Sequence, residues 1–217
     1  PWHSTRMPCP GSMLLLAILA APPGLTEIRR VCVDGQATGY GTFQSHNQKV
    51  VSCRNGILMT HIRTRNEPYT AQEWRLSRSE DGGETFRTIH EAVNATNPPV
   101  LEVDDAGNVY LVRPDFIDGN AYLYRFLAKD NYATPLVTTI PNGSAGKYAM
   151  ILDPGRKRLY YFAHNNTFHV LGLDGEVLSS RVLLQGGKNA VLQYPLLSLG
   201  EDGVLHAAWT TQAHGRY

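Results

Sequence analysis

The 217-residue sequence lacks an excess of charge of either sign, because 20 lysines and arginines are matched by 19 aspartates and glutamates. Without a basic surplus there is little to hold a phosphate backbone, so we do not expect nucleic acid as a partner. The chain also lacks the composition of a disordered protein, since 18% of its residues are charged and 42% are hydrophobic. Turn and strand formers are abundant, with 20 glycines, 13 prolines and 11 tyrosines. This composition predicts a turn-rich, mostly β protein.

A hydrophobic run long enough to cross a membrane, about 20 apolar residues, is missing. The apolar run Met13–Ala21 has nine residues and is followed by Pro22-Pro23-Gly24. Its length suits the apolar part of a secretory signal, with the small residues Ala20 and Ala21 at a cleavage point. We therefore predict a leader over residues 1–26 and a secreted or periplasmic protein with no membrane span.

Cysteines are few and show no metal-binding spacing. Cys9 would leave with the leader, and Cys32 and Cys53 remain. These two could pair in an oxidising compartment, although two separate buried thiols are the interpretation that we favour. A Gly-rich phosphate loop, Gly-x-Ser-x-Gly and His-Glu-x-x-His are all missing from the sequence. We expect no metal and no cofactor.

Four segments repeat one layout: a polar residue, an apolar strand, a turn with glycine and a second apolar strand. The opening positions 47, 97, 147 and 193 differ by 50, 50 and 46, and the turn glycines 56, 107, 155 and 203 differ by 51, 48 and 48. No amphipathic helix pattern follows residue 27. Four short strands per repeat are typical of a β-propeller blade, whereas a β-sandwich has no reason to repeat at constant spacing. We predict an all-β fold, a β-propeller of four-stranded blades over residues 27–217, with about four blade repeats that start near residues 46, 96, 146 and 192.

One turn carries a specific motif, Ser79-Glu80-Asp81-Gly82-Gly83-Glu84-Thr85-Phe86, which fits Ser-x-Asp-x-Gly-x-Thr-aromatic. We expect Asp81 to accept hydrogen bonds from turn amides, glycine to supply a positive φ, and the hydroxyls of Ser79 and Thr85 to close the loop. A degenerate copy over residues 129–134 and the turn 173–176 fall at matching places in the next two repeats.

This motif resembles the Asp-box, also called the BNR repeat, of the sialidase superfamily. The resemblance covers most of residues 40–217 and implies a six-bladed propeller when complete, so that this chain would be the N-terminal part of a longer protein. Asp-boxes lie at the blade periphery, and the motif therefore indicates architecture and not chemistry.

The aligned openings of the repeats are the first candidates for a binding site. In a propeller the first strand of each blade lines a central channel, so these positions should surround one funnel. Tyrosines beside amides suit sugar recognition by stacking and hydrogen bonding. The alternative is that the polar groups satisfy strand ends and channel waters. The candidates are His46, Asn47, Asn97, Lys147, Tyr148, Gln193 and Tyr194.

A second candidate region is the loop after the second strand of the first repeat. Arg63 and Arg65 could clamp a carboxylate, and Glu67 could act as a general acid. The alternative is a solvated loop in which Arg65 pairs with Glu67. Sialidases, which this sequence resembles, often carry an arginine and then an acidic residue at the places of Arg63 and Glu67. Their inner-strand Arg-Ile-Pro motif is replaced here by Asn47-Gln48-Lys49.

A third candidate follows from residues 160–166, an aromatic strand that ends in His164 and two asparagines. The segment is similar to those of BNR-type propellers that include polysaccharide lyases acting on uronate polymers. That resemblance implies a proton-abstracting His164 or Tyr148, with Arg113 neutralising the uronate carboxylate. The alternative is that His164 is a hydrogen-bonded surface residue.

The resemblances together imply an exported, sialidase-like propeller that acts on an anionic or neutral glycan, with glycoside hydrolysis as the leading expectation. A hydrolase would need a second carboxylate beside Glu67. The alternatives are a non-catalytic glycan- or protein-binding BNR propeller and a uronate lyase. The expected partner is a carbohydrate.

Overall fold

The protein is described by a computed structural model over residues 17–18, 28–39, 41–43, 47–64, 72–93, 95, 97–115, 117–144, 146–163, 166–183 and 191–212. These residues form 16 strands and a single short 3₁₀ helix at Ala128–Asp130. Strands β1 (Ala17–Ile18) and β2 (Ile28–Arg29) pair with each other outside the main sheets. No helix in the described part of the chain is long and apolar enough to cross a membrane.

The main sheets follow one another along the chain as antiparallel meanders. The first sheet contains β3 (Val50–Cys53), β4 (Gly56–Thr64), β5 (Gln72–Ser79) and β6 (Arg87–Val93). The second contains β7 (Val100–Val103), β8 (Val109–Pro114), β9 (Ala121–Phe126) and β10 (Leu136–Ile140). The third contains β11 (Tyr148–Asp153), β12 (Arg158–Ala163), β13 (Thr167–Gly172) and β14 (Val177–Val182). The fourth has two strands, β15 (Val191–Leu199) and β16 (Leu205–Gln212).

The sheets stack through their faces, and their first strands lie side by side. Strand β3 lies beside β7, β7 beside β11, and β11 beside β15. One apolar core fills the space between the first and second sheets, around Trp74 and Leu111, and another lies between the second and third, around Leu123 and Tyr161. The prediction of fold class is confirmed: the chain is nearly all-β, and its four-stranded meanders are compatible with propeller blades.

The burial pattern explains why these segments form strands. Strand β8 is buried at all six positions because it lies between two neighbouring sheets, and its sequence is correspondingly apolar. Strand β13 instead alternates buried and half-buried residues, the period of two that a strand requires. Both patterns were legible in the sequence as short apolar or alternating runs.

The Asp81 turn joins β5 to β6 and has the hydrogen bonds expected of it. Asp81 Oδ1 accepts from the Thr85 amide at 2.9 Å and from the Ser79 hydroxyl at 2.7 Å, while Oδ2 accepts from the Thr85 hydroxyl at 2.6 Å. The Ser79 hydroxyl also accepts from the Gly83 amide, and Gly83 has a φ of 95°. Hydrogen bonds from Thr85 and Ser79 hold the pKa of Asp81 well below its usual range.

The two related turns occupy the same place in their sheets but are built differently. The degenerate copy, between β9 and β10, contains the 3₁₀ helix and two consecutive residues with positive φ, Asn131 and Tyr132. The Tyr132 hydroxyl donates to the Gly107 carbonyl and joins this turn to the β7–β8 turn of the same sheet. The turn at Asp174 joins β13 to β14, with the Asp174 carboxylate accepting from the Glu176 amide.

Gly56, the first residue of β4, lies where the β3–β4 turn leaves no room for a side chain. Its φ is +120°, and a Cβ added there would lie 2.0 Å from the Ser79 carbonyl oxygen, whereas Gly119, with φ +78°, has nothing within 4 Å. We expect Gly56→Ala to lower the free energy of unfolding by about 2–3 kcal/mol and Gly119→Ala by about 1 kcal/mol. Chemical denaturation measures both, and equal losses would contradict the backbone clash at Gly56.

Cys32 and Cys53 are not joined by a disulfide bond, and each is half-buried. The Cys53 sulfur lies 3.8 Å from the Tyr132 hydroxyl. The interpretation of two separate thiols is therefore the one that the structure bears out.

Candidate functional site

The N-terminal ends of β3, β7 and β11 meet at one end of the stacked sheets, which we call the funnel. The Gln48 carbonyl accepts a hydrogen bond from the Leu101 amide at 3.2 Å, which joins the first two sheets. Asn47 Nδ2 donates to the Tyr148 carbonyl at 2.7 Å, which joins the first sheet to the third. The buried Tyr148 hydroxyl donates to the Pro98 carbonyl at 2.9 Å. The structure therefore brings the openings of the first three repeats together at this end of the sheets.

The asparagine side chains at the funnel donate hydrogen bonds to backbone carbonyls of other repeats and thereby hold the sheets together. Asn47 is 7% exposed, and Asn97 Nδ2 donates to the Gly146 carbonyl at 3.4 Å. Tyr148 is fully buried, and burial raises the pKa of its phenol further above its ordinary value. For Asn47, Asn97 and Tyr148 these contacts match the alternative that polar groups satisfy strand ends.

Lys147 has a different environment, at the open side of the funnel. Its ammonium lies 5.0 Å from the centre of the Phe43 ring and 4.9 Å from the centre of the Tyr194 ring. Both rings are partly open to solvent, with Phe43 42% and Tyr194 47% exposed. Cation–π attraction holds the ammonium between them. Among the residues described, no carboxylate pairs with Lys147.

Tyr194 lies in a β-bulge of strand β15. The pairing of β15 with β16 shifts register between Gln193 and Leu196, and Tyr194 has a φ of 47°. Left-handed backbone at a bulky residue is strained and persists only where its surroundings enforce it, which is frequent at ligand sites. Gln193, the residue aligned with Lys147 by sequence, is half-buried beside this bulge.

Lys49 lies beneath the funnel and is 7% exposed. Its ammonium has no hydrogen-bond partner in the described part of the structure. Burial lowers the pKa of Lys49 to about 7. A second buried titratable group, Glu102 on β7, has its pKa raised by burial to about 7.

Arg113 lies at the C-terminal end of β8, directly after Val112, which pairs with Val100. It is 8% exposed, its Nη2 donates to Asp115 at 3.0 Å, and its guanidinium lies 5.2 Å from the Tyr122 ring centre. Burial lowers its pKa, but hydrogen bonds to Tyr124 and Asp115 outweigh this and leave the pKa above its usual value. Arg113 is thus a fixed charge near the funnel, already neutralised in part by Asp115.

Arg63, the expected substrate clamp, is engaged within the first sheet. Its Nε lies 2.6 Å from Glu73 Oε1, directly across the β4–β5 pair. Arg75 lies 3.3 Å from the same Glu73 oxygen, 2.8 Å from Glu91 and 3.1 Å from Asp34. This buried network leaves the Arg63 guanidinium with a partner inside the protein.

Asp34 completes the network from the N-terminal segment. Its carboxylate accepts from Arg75 and lies 3.0 Å from His61 Nε2. Burial raises the pKa of Asp34, but hydrogen bonds from His61 and the Gln36 amide, with the charge of Arg75, outweigh it and bring the pKa to about 2. The network therefore covers the face of the first sheet that points away from the second sheet.

Four predicted site residues, His46, Arg65, Glu67 and His164, lie outside the described residues. Two members of the assembled site were not singled out from the sequence. Lys49 had a signal, its place in the polar opening of the first repeat, whereas Phe43 had none. Within the described ranges no group of three or more His, Cys, Asp or Glu side chains could hold a metal ion.

A polar cavity of about 480 Å³ lies at the other end of the first sheet, between the β3–β4 turn and the Asp81 turn. Arg78, its most buried charge, donates to the Asn55 carbonyl and to Asn131 and pairs with Glu80. The Arg78 guanidinium thus joins the β3–β4 turn to the turn between β9 and β10.

Comparison with known proteins adds little to this description. No protein-family model and no curated protein matches the chain. A solved structure that is similar to it is the crystal structure of a protein of unknown function from Dyadobacter fermentans DSM 18053, at a TM-score of 0.48 and 18% identity. The match covers 76% of this chain and 52% of the other, so this chain spans about half the length of that structure. A likeness at this level carries no argument about function.

Proposed function

We propose that this protein is a propeller of the sialidase (BNR) type that binds a carboxylated glycan at its funnel. The observation that carries the proposal is Lys147, an ammonium held between two half-exposed aromatic rings with no carboxylate partner among the described residues. An ammonium pairs with a carboxylate, and an exposed aromatic ring stacks on the apolar face of a sugar. A uronic or sialic acid residue offers both features.

The Asp81 turn supports the assignment to the BNR type. Its carboxylate accepts from Ser79 and from both donors of Thr85, as the Ser-x-Asp-x-Gly-x-Thr pattern requires. The leader predicted from the sequence over residues 1–26 supports an exported protein, which would meet extracellular glycans. These two features support the type of propeller and an exported location, whereas Lys147 supports the class of ligand.

Binding is favoured over hydrolysis by the state of Arg63. A guanidinium that clamps a substrate carboxylate must be available, and Arg63 is paired with the buried Glu73. Hydrolysis also needs two carboxyl groups beside the scissile bond. Hydrolase and lyase activity stay predictions that rest on Glu67 and His164, which lie outside the described residues.

The test compares the binding of acidic oligosaccharides to the wild type and to Lys147→Met by isothermal titration calorimetry. Loss of a charge-assisted contact of about 1.5–3 kcal/mol predicts at least tenfold weaker binding. Tyr194→Ala should weaken binding several-fold through lost stacking. Lys129→Met is the matched control, since Lys129 is exposed beside the degenerate turn between β9 and β10.

Equal affinities of Lys147→Met and wild type would refute the proposed site. The same oligosaccharides are incubated with the protein and checked for new reducing ends and for absorbance of unsaturated uronate. Product that survives Lys147→Met but disappears in Glu67→Gln would replace binding with hydrolysis. Unsaturated product that disappears in His164→Ala would replace it with lyase chemistry.

A further inference from the structure

Lys49 is the most buried cation near the funnel, and its backbone is firmly placed. Its carbonyl accepts from the Thr60 amide at 2.9 Å, and the Thr60 hydroxyl donates to the Pro99 carbonyl at 2.7 Å. Lys49 lies two residues before Val51, which belongs to the core between the first and second sheets. In extended chain these two side chains lie on one side, so Lys49 enters the same interface above the apolar core.

Lys49 is also close in the chain to the contact that joins the sheets. Asn47 donates to the Tyr148 carbonyl, and Lys49 and Lys147 each lie within two residues of this contact. The buried Lys49 and the half-buried Lys147 therefore belong to the same end of the stacked sheets. A ligand carboxylate bound by Lys147 would therefore lie at the end of the sheets where Lys49 is buried.

The charged and titratable groups on neighbouring elements do not compensate Lys49. On the second sheet, Arg113 is a cation and is paired with Asp115; on the third, Lys147 is a cation and Tyr148 a phenol that stays neutral at ordinary pH.

The two remaining groups point away from Lys49. On β7, Glu102 lies between Leu101 and Val103, which belong to the core shared with the first sheet, so its own side chain lies on the opposite face of the strand. On β4, His61 next to Thr60 points to the opposite face, toward Asp34. A buried ammonium without a counter-charge is costly.

We propose that Lys49 makes ligand binding at the funnel proton-linked: the ligand carboxylate supplies the counter-charge that Lys49 lacks, and the free amine takes up one proton from solvent as the complex forms. This inference rests on the proposed binding of a carboxylated glycan. It adds a regulation of that site, in which a fall in pH strengthens binding.

The direction of the pH effect follows from burial. Because the pKa of Lys49 is lowered to about 7, the amine is mostly neutral above pH 7 in the free protein. A nearby carboxylate favours the ammonium and raises that pKa in the complex. Between the two pKa values the affinity should fall by up to tenfold for each unit of rising pH.

Glu102 must be separated from this effect, because it titrates in the same range. Burial raises its pKa to about 7, so it becomes an anion as pH rises, and an anion close to the ligand carboxylate would give a pH dependence of the same sign. Glu102→Gln removes that contribution and leaves Lys49 in place. The variant is therefore the control for the assignment to Lys49.

The experiment titrates an acidic oligosaccharide into the full chain at pH 6, 7 and 8, in buffers with different ionisation heats, so that calorimetry counts the protons taken up. Wild type and Glu102→Gln should take up close to one proton at pH 8 and bind several-fold more weakly there than at pH 6. Lys49→Met should show no uptake and no such pH dependence. Lys49→Arg, which keeps the charge at every pH, should bind without proton uptake.

The outcomes separate the two proposals. If the oligosaccharide binds in a Lys147-dependent way but proton uptake persists in Lys49→Met, the inference about Lys49 is wrong and the binding site stands. If uptake disappears in Glu102→Gln and not in Lys49→Met, Glu102 is the linked group and the inference is again wrong. If no acidic oligosaccharide binds, both proposals fail. Circular dichroism and the Tm of each variant confirm that it is folded.

Discussion

Replacing Glu73 with glutamine should lower the free energy of unfolding by about 3–5 kcal/mol, because it removes the anion from a buried ion-pair network and leaves its cations in place. Glu73 is 5% exposed and faces Arg63 at 2.6 Å and Arg75 at 3.3 Å. Each arginine would then be a mostly buried charge, 15–19% exposed, with one carboxylate fewer. Chemical denaturation followed by circular dichroism measures the loss.

Glu91→Gln is the matched control, since it removes another carboxylate from the same Arg75. Glu91 lies 2.8 Å from Arg75 Nη2, but its side chain is 55% exposed. Solvent screens such a pair, and the expected loss is below about 1 kcal/mol. Similar losses in Glu73→Gln and Glu91→Gln would mean that burial does not govern the energetics of this network.

The second large effect concerns stability and pH. Lys49 has a pKa of about 7 in the folded protein and an ordinary value of 10.5, so between these values the unfolded chain binds more protons than the folded one. Stability therefore rises with pH across this window. Glu102 behaves oppositely: its folded pKa of about 7 lies above the ordinary 4.5, so its contribution is complete below pH 4.5 and is lost as pH rises to 7. Together they predict a minimum of stability near neutral pH.

Single substitutions separate the two arms of this profile. Lys49→Met should be more stable than wild type at pH 7, and the difference should shrink by roughly 3–4 kcal/mol between pH 7 and pH 10. Glu102→Gln should flatten the arm between pH 4.5 and 7, worth about 2–3 kcal/mol, and leave the other arm unchanged. Guanidinium denaturation at half-unit pH intervals gives the curves. A constant difference between Lys49→Met and wild type would contradict an uncompensated buried amine.

The repeat made most of the fold predictable. The spacing of about 49 residues between opening residues and between turn glycines predicted where the β3–β4, β7–β8 and β11–β12 hairpins lie. This was possible because the turn of a hairpin is determined by residues that are close together in the sequence. The Asp81 turn was predictable to the level of its hydrogen bonds for the same reason. The fourth sheet has only β15 and β16 among the described residues.

The site was only partly predictable, since its contacts join residues far apart in the chain. The spacing grouped Asn47, Lys147 and Tyr148 correctly, but no local pattern shows that Asn47 binds the Tyr148 carbonyl. In the sequence Arg63 resembled a ligand clamp because its partner is not a near neighbour in the chain. Glu73 becomes that partner only when β4 pairs with β5 across a connecting loop. Phe43 reaches Lys147 from a segment that precedes the repeats.

The charge of Lys49 favours exposure to solvent, whereas the packing of the sheets buries it, and the sequence alone does not show which of the two prevails. A lysine in a polar Asn-Gln-Lys opening looks like an exposed residue, yet the stacking of the second sheet over β3 leaves it 7% exposed. Burial of a cation is a property of the assembled sheets, which is why the largest electrostatic effect in the funnel emerges only in three dimensions.

One comparison tests the central claim, binding of a carboxylated glycan at the funnel, most directly. A uronate oligosaccharide and the same oligosaccharide with its carboxyl groups reduced to alcohols are titrated into the full chain by calorimetry at pH 6. The account predicts that the acidic form binds at least tenfold more tightly than the reduced form, and that this preference disappears in Lys147→Met. Equal affinity for the two forms, or binding of neither, would contradict it.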